Sequence, residues 1–124
     1  MRVIIAGSRS FGDSDMIFDM IDRAVVELGL GDKELTTLSG GAIGVDKIGE
    51  AWAAMQKIDT EYFFPSWKVY GKAAGPIRNQ EMVDAAEAAI FIWDGKSRGT
   101  RDCMKRALAK GIPVKIYQEV NNET

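Results

Sequence analysis

Val3-Ile4-Ile5-Ala6-Gly7-Ser8-Arg9 sets the fold. Four apolar residues in a row, halted by glycine, describe a short strand buried on both faces, as in a parallel sheet with helices on each side. The chain beyond it keeps to that pattern. Asp13 or Ser14 can cap a helix on which Ile17, Met20, Ile21, Ala24, Val25 and Leu28 recur at helical spacing, with Gly29 and Gly31 as the stop. Residues 35–38 read as a second strand, and 45–57 as a helix with Ile48, Ala51, Trp52 and Met55 on one face. Residues 58–64 are a third strand ending at Pro65, and 66–76 a loop or broken short helix. A helix carrying Ile77, Met82, Val83 and Ala86 follows. Residues 88–93 form the fourth strand, broken by Asp94-Gly95; 100–110 form the last helix, stopped by Gly111; 112–117 form the fifth strand. Strands alternating with helices predict right-handed βαβ units. The expected class is therefore α/β, a three-layer Rossmann-like sandwich with a parallel sheet of about five strands. Residues 1–120 read as a single domain and 121–124 as a frayed polar tail.

Composition narrows the chemistry. The 124 residues, 46% hydrophobic, suit one domain with a real core. There is no His, which excludes a Ser-His-Asp triad, a Cys-His dyad and the H-E-x-x-H zinc site. A single Cys, Cys103, excludes an intramolecular disulfide and a Cys-rich zinc site. No apolar run approaches the roughly 20 residues of a membrane span, and the start lacks a signal-peptide pattern, so a cytoplasmic protein is expected. Net charge is −2, and the basic residues are spread along helices without aromatic interleaving. A nucleic-acid partner is accordingly not expected.

In doubly wound sheets ligands bind beyond the carboxyl ends of the strands, near the point where strand order reverses. The candidate site residues come from the turns at those ends. Gly7, Ser8 and Arg9 close the first strand, with Phe11 just beyond. The spacing from Gly7 to Ser14 is that of a P-loop, but Asp13 stands where the phosphate-binding Lys belongs, so a Walker-type NTPase is excluded. Arg9, a cation two residues past a buried strand, is expected against a ligand.

The second turn holds Ser39, Gly40, Gly41, Ala42, Gly44, Val45 and Asp46. Glycines let a backbone approach an anion closely, and the next helix offers unpaired amides and a positive dipole end. Ser39 replaces the first glycine of G-x-G-x-x-G and the loop follows the second strand, which argues against a dinucleotide dehydrogenase. A tight helix-packing turn remains the alternative reading of this cluster. Pro65 and Trp67 follow the third strand, and Gly75, Arg78, Asn79 and Met82 open the next helix. An Arg near a helix N-terminus is unfavourable unless an anion compensates it.

The last turn runs from Trp93 and Asp94 to Ser97, Arg98, Gly99 and Thr100, with Asp102 half a turn into the helix. Trp67 or Trp93 is expected to stack on a base, with Phe11 as a further candidate. No metal site is expected and no cofactor is required; Mg²⁺ on Asp46 or Asp94 stays open.

Together Gly7-Ser8-Arg9, Ser39 to Asp46, Gly75 to Met82 and Ser97 to Thr100 resemble the SLOG superfamily, in the branch of small YspA-like domains, over nearly the whole chain. The resemblance implies a Rossmann-like fold and a nucleotide-derived ligand: a nucleoside monophosphate, an ADP-ribose-like molecule or a nucleotide sugar. The superfamily's LOG enzymes cleave nucleoside monophosphates to free base and ribose 5-phosphate, and their motif places Arg78 and Asp102 in the catalytic positions. Gly99 and Thr100 match their Gly-Thr turn, whereas Ser97 and Arg98 depart from its leading glycines, and Asp102 is one methylene shorter than their Glu. The resemblance thus implies N-glycosidic hydrolysis, with a non-catalytic sensor or sequestering module as the alternative. Related enzymes pair, so a homodimer is expected.

Overall fold

Alternate residues of the first strand, β1 (Arg2–Gly7), enter opposite cores: Val3 and Ile5 one, Ile4 and Ala6 the other. A computed structural model describes residues 1–119, so the expected tail at 121–124 lies outside the described residues. The further strands are β2 (Thr36–Ser39), β3 (Asp59–Tyr62), β4 (Ala88–Trp93) and β5 (Val114–Gln118). All pair in parallel, in the order β3-β2-β1-β4-β5. The expected five-stranded α/β sandwich is the observed one. Strand order reverses between β1 and β4, where Gly7 pairs with Ile92. At that junction the Ser8 amide donates to the Ile92 carbonyl at 3.0 Å, and the Ser8 hydroxyl accepts from the Asp94 amide at 2.9 Å.

Helices α1 (Ser14–Glu27) and α2 (Val45–Met55) cover one face, where Ile17, Ile21, Trp52 and Ala53 meet Val3 and Ile5. Helices α4 (Ala74–Ala85) and α5 (Arg98–Lys110) cover the other, where Met82, Val83, Cys103 and Ala107 meet Ile4 and Ala6. Of the two candidate caps on α1, Asp13 does the work: its carboxylate accepts from the Met16 amide at 3.1 Å. Helix α5 stops at Gly111, which is left-handed at φ 82°. No described helix is long and apolar enough to cross a membrane.

Several boundaries move. Leu35 falls outside β2 and Ser39 inside it, because pairing with β1 begins at Thr36. Strand β3 is shorter than 58–64, ending where its partner β2 ends. Of the two readings of 66–76, the broken short helix is the observed one: the one-turn helix α3 (Trp67–Tyr70), a 3₁₀ turn (Gly71–Ala73) and the start of α4. Phe11 corrects a site expectation. Its ring is buried, 5% exposed, in the core beneath α1. Phe11 is also absent from the wall of the cleft described below.

Gly7 sits where β1, β4 and α2 touch. A Cβ there would lie 2.0 Å from the Ile92 carbonyl oxygen and 2.8 Å from Val45 Cγ2. Gly7→Ala is expected to cost about 3 kcal/mol, read as a lower urea midpoint; an unchanged midpoint would show that the strand ends can part.

Candidate functional site

Four strand ends enclose one cleft of about 760 Å³, within the range of small-molecule sites. Ala6 and Gly7 come from β1, Gly40 to Ala42 from the loop after β2, Phe64 and Pro65 from the end of β3, and Ser97 to Thr100 from the turn after β4. Arg78, Asn79 and Met82 of α4 and Asp102 and Cys103 of α5 complete the walls.

A chain of hydrogen bonds holds these pieces in place. Arg78 Nη1 donates to the carbonyls of Gly40 at 2.9 Å and Phe63 at 3.3 Å, and its Nε donates to Asn79 Oδ1 at 3.0 Å. Asn79 Nδ2 passes the chain to α5, donating to the Gly99 carbonyl at 3.2 Å and to Asp102 Oδ2 at 2.9 Å. Arg106 grips the same Asp102 oxygen at 2.9 Å and reaches Gln80 at 2.9 Å. The compactness is tight enough that a Cβ on Gly40 would come within 2.6 Å of Arg78 Nη1. The sequence asks for an anion beside Arg78, and these bonds instead commit its Nε and Nη1 to protein oxygens.

The two glycine turns behave differently. In the turn before α2 three amides are already used. Gly41 N donates to Ser39 Oγ at 3.1 Å, Ala42 N to Asp46 Oδ2 at 3.2 Å and Val45 N to the Ser8 carbonyl at 3.3 Å. At the start of α5, Asp94 Oδ1 takes the Lys96 and Ser97 amides, both at 2.8 Å. The next three amides, of Arg98, Gly99 and Thr100, open a 13-residue helix and have no carbonyl one turn earlier. Helix α2 leaves only the Asp46 and Lys47 amides in that position, so the α5 end is the more open of the two, and there backbone amides and the helix dipole favour negative charge.

Electrostatics point the same way. Arg9, Lys72, Arg78 and Arg98 line the cleft against two carboxylates, Asp46 and Asp102, in a chain whose net charge is −2. Burial pushes the Asp46 carboxyl up to about 6 against the pull of the Ala42 and Gly7 amides and the Arg78 charge. Asp102 moves the other way. Partial burial opposes its charge, but the hydrogen bonds from Arg106 and Asn79 outweigh it and hold the carboxyl below its ordinary value. Asp102 is a carboxylate at neutral pH, fit to stabilise positive charge or accept a proton and unfit to act as an acid. Cys103 is buried, and burial pushes its thiol up to about 12, which makes it inert.

Residues 1–70 match the family described as YAcAr, the YspA, cpYpsA-related SLOG family. The Gene 61 protein of Mycobacterium phage D29 is 38% identical over 119 residues, 91% of this chain and 93% of that protein. The chain belongs to the YspA-related SLOG family. DNA processing protein A (DprA) from Streptococcus pneumoniae shares the fold, with a TM-score of 0.72 at 19% identity over 98% of this chain. The chain spans about half of that structure's length, 52%.

The structure gathers most of the SLOG-motif residues around the cleft and sends a few elsewhere. Arg9, Asp46, Trp67, Gly75 and the segment Ser97 to Thr100 reach its wall, as do Arg78, Asn79, Met82 and Asp102. Ser8 does not: it is fully buried, tied to β4. Ser39 donates to Glu50 at 2.7 Å, and Val45 is core. Gly44 is left-handed at φ 82° and packs so closely that a Cβ would meet the Ser8 carbonyl at 2.5 Å. Trp93 donates its Nε1 to the Ser97 carbonyl at 3.0 Å and packs, half-buried, against the core, off the cleft wall. Asp94 is engaged as the cap already described. Among the described residues no three or more Cys, Asp or Glu side chains cluster as a metal site. The sequence reading missed Phe64 and Lys72. Their signal was an aromatic at the end of the third strand and a cation within 66–76, flanking Pro65 and Trp67.

Asp46 gives the site a pH signature. The folded chain holds this proton to higher pH than the unfolded chain does, so its contribution is greatest below about pH 4 and is lost as pH rises to about 6. The carboxyls of Asp94 and Asp102, held low, titrate below that window. Stability should fall by about 3 kcal/mol between pH 4 and 7 relative to Asp46→Asn, followed by urea denaturation. Parallel pH profiles for the two proteins would contradict the buried carboxyl.

Proposed function

We propose that the cleft binds a nucleotide-derived ligand, with its phosphate on the opening amides of α5 and its base toward the aromatic rim. The observation that carries this reading is the α5 N-terminus: three amides without an intrahelical acceptor, beside the Arg98 side chain, facing a cleft with more cations than carboxylates. Arg9 adds a second exposed cation across the β1–β4 junction. Phe64 and Trp67, 64% and 59% exposed, supply ring faces on the opposite wall. Nucleoside monophosphates, ADP-ribose-like molecules and nucleotide sugars share the required phosphate, sugar and base.

N-glycosidic hydrolysis is the second reading, favoured by Asp102. Its carboxylate is kept ionised and is fixed by Asn79 and Arg106 on the cleft wall. A fixed negative charge beside a bound ribose stabilises the oxocarbenium-like transition state of base loss. Arg78, being bonded to Gly40, Phe63 and Asn79, shapes the wall in this reading and leaves the phosphate to Arg98 and the α5 amides.

Thermal unfolding with a panel of nucleoside monophosphates and ADP-ribose, together with assay for free base, tests both readings. A ligand at ten times its Kd should raise Tm by about 5 °C, and Arg98→Ala should weaken binding about tenfold. Release of base that drops about 100-fold in Asp102→Asn assigns the hydrolase; stabilisation without product assigns the sensor. No stabilisation by any member at millimolar concentration would contradict the nucleotide reading.

A further inference from the structure

Ten large apolar side chains are exposed among the described residues, and five of them, Tyr62, Phe64, Trp67, Val69 and Tyr70, fall within nine consecutive positions. Every aromatic in that set of ten is in this stretch. A helix present for packing would bury one face, yet neither α3 nor the 3₁₀ turn after it buries a single side chain. The Tyr62 and Phe64 rings stack at 5.6 Å with 7° between their planes.

Charge in this stretch runs against the rest of the chain. Residues 62–80 contain Lys68, Lys72 and Arg78 and no carboxylate, although the chain carries 18 Asp and Glu. Phe64, Trp67 and Lys72 border the cleft, whereas Tyr62, Lys68 and Tyr70 lie outside it. One nucleotide in the cleft brings one base. The strip offers further ring faces and a further ammonium beyond that base's reach.

Resting on the nucleotide reading above, we propose that the strip from Tyr62 to Lys72 is a second subsite continuous with the cleft, and that the ligand is a single-stranded oligonucleotide with one nucleotide seated in the cleft. From Trp67 to Lys72 exposed rings alternate with cations, as bases alternate with phosphates, and stacking is indifferent to sequence. A protein partner fits less well, because the cores of protein–protein interfaces are depleted of Lys. The aromatic and basic interleaving that the sequence as a whole lacks is concentrated in these eleven positions.

The test compares AMP with 12-mers of oligo(dA) and oligo(rA), followed by quenching of tryptophan fluorescence. Trp67 is the exposed reporter, since Trp52 is buried and Trp93 half-buried. The double substitution Tyr70→Ala with Lys68→Ala changes exposed residues off the cleft wall. At least one 12-mer should bind about tenfold or more tighter than AMP, with an advantage that shrinks as salt rises. The double variant should bind AMP as the wild type does and bind the 12-mer no better than AMP. Preference for the DNA or the RNA 12-mer names the sugar, and either supports the proposal. Equal affinity for AMP and both 12-mers, or a double variant that keeps the advantage, overturns the second subsite and leaves the nucleotide reading standing. Failure of all three probes overturns the second subsite, and failure of the whole nucleotide panel with them overturns both. A dimer that the double variant dissociates, with no 12-mer advantage, assigns the strip to a second copy and overturns the proposal.

Discussion

The amide of Asn79 holds the cleft open in one shape. It is 5% exposed, and both of its ends are bonded: Oδ1 takes Arg78 Nε, and Nδ2 divides between the Gly99 carbonyl and Asp102. Through Arg78 it reaches the ends of β2 and β3; through Asp102 it reaches Arg106 on the next turn of α5. A buried polar group left unmatched costs about 1–3 kcal/mol, so the chain is stable as a whole and poor in fragments. Leucine at this position would fill the volume and leave three partners without their bond to it. Asn79 shares the tie between α4 and α5 with Arg106, which reaches Gln80, and with Lys110, which donates to the Val83 and Asp84 carbonyls.

The consequence is a division of labour between two turns that look alike as strings. Both carry glycines after a strand and before a helix, and both read as anion cradles. In the turn before α2 the protein supplies its own anion: Asp46 occupies the Gly7 and Ala42 amides, and Ser39 takes the Gly41 amide. In the turn before α5 the equivalent carboxylate, Asp94, stops at Ser97. Asp46 reaches back to the Gly7 and Ala42 amides and Asp94 only to Lys96 and Ser97, and the Val45 amide is taken by Ser8, so the first turn of α5 keeps one more open amide than that of α2.

That difference marks the limit of what the sequence discloses. The strands and the helices α1, α2 and α5 were legible because burial on one or both faces writes itself as a run or a 3.6-residue period. Residues 66–73 were not, because α3 and its 3₁₀ turn bury nothing and so leave no period. Arg9, Trp67 and the Ser97 to Thr100 turn could be placed at the cleft from their position after strands alone. Ser8, Phe11, Val45 and Trp93 could not be told from them by position, since only tertiary packing shows that each faces the core or a neighbouring strand. The engagement of Arg78 with Gly40 and Phe63 was equally hidden, both partners lying far off in sequence.

The division between the two turns is open to direct measurement by amide chemical shifts in a ¹⁵N-labelled sample titrated with inorganic phosphate and then with AMP. The largest shifts should fall on Arg98, Gly99 and Thr100, with Gly41 and Ala42 nearly still. Dominant shifts at Gly41 and Ala42, or none at the start of α5, would show that the guest sits on the other turn or on neither.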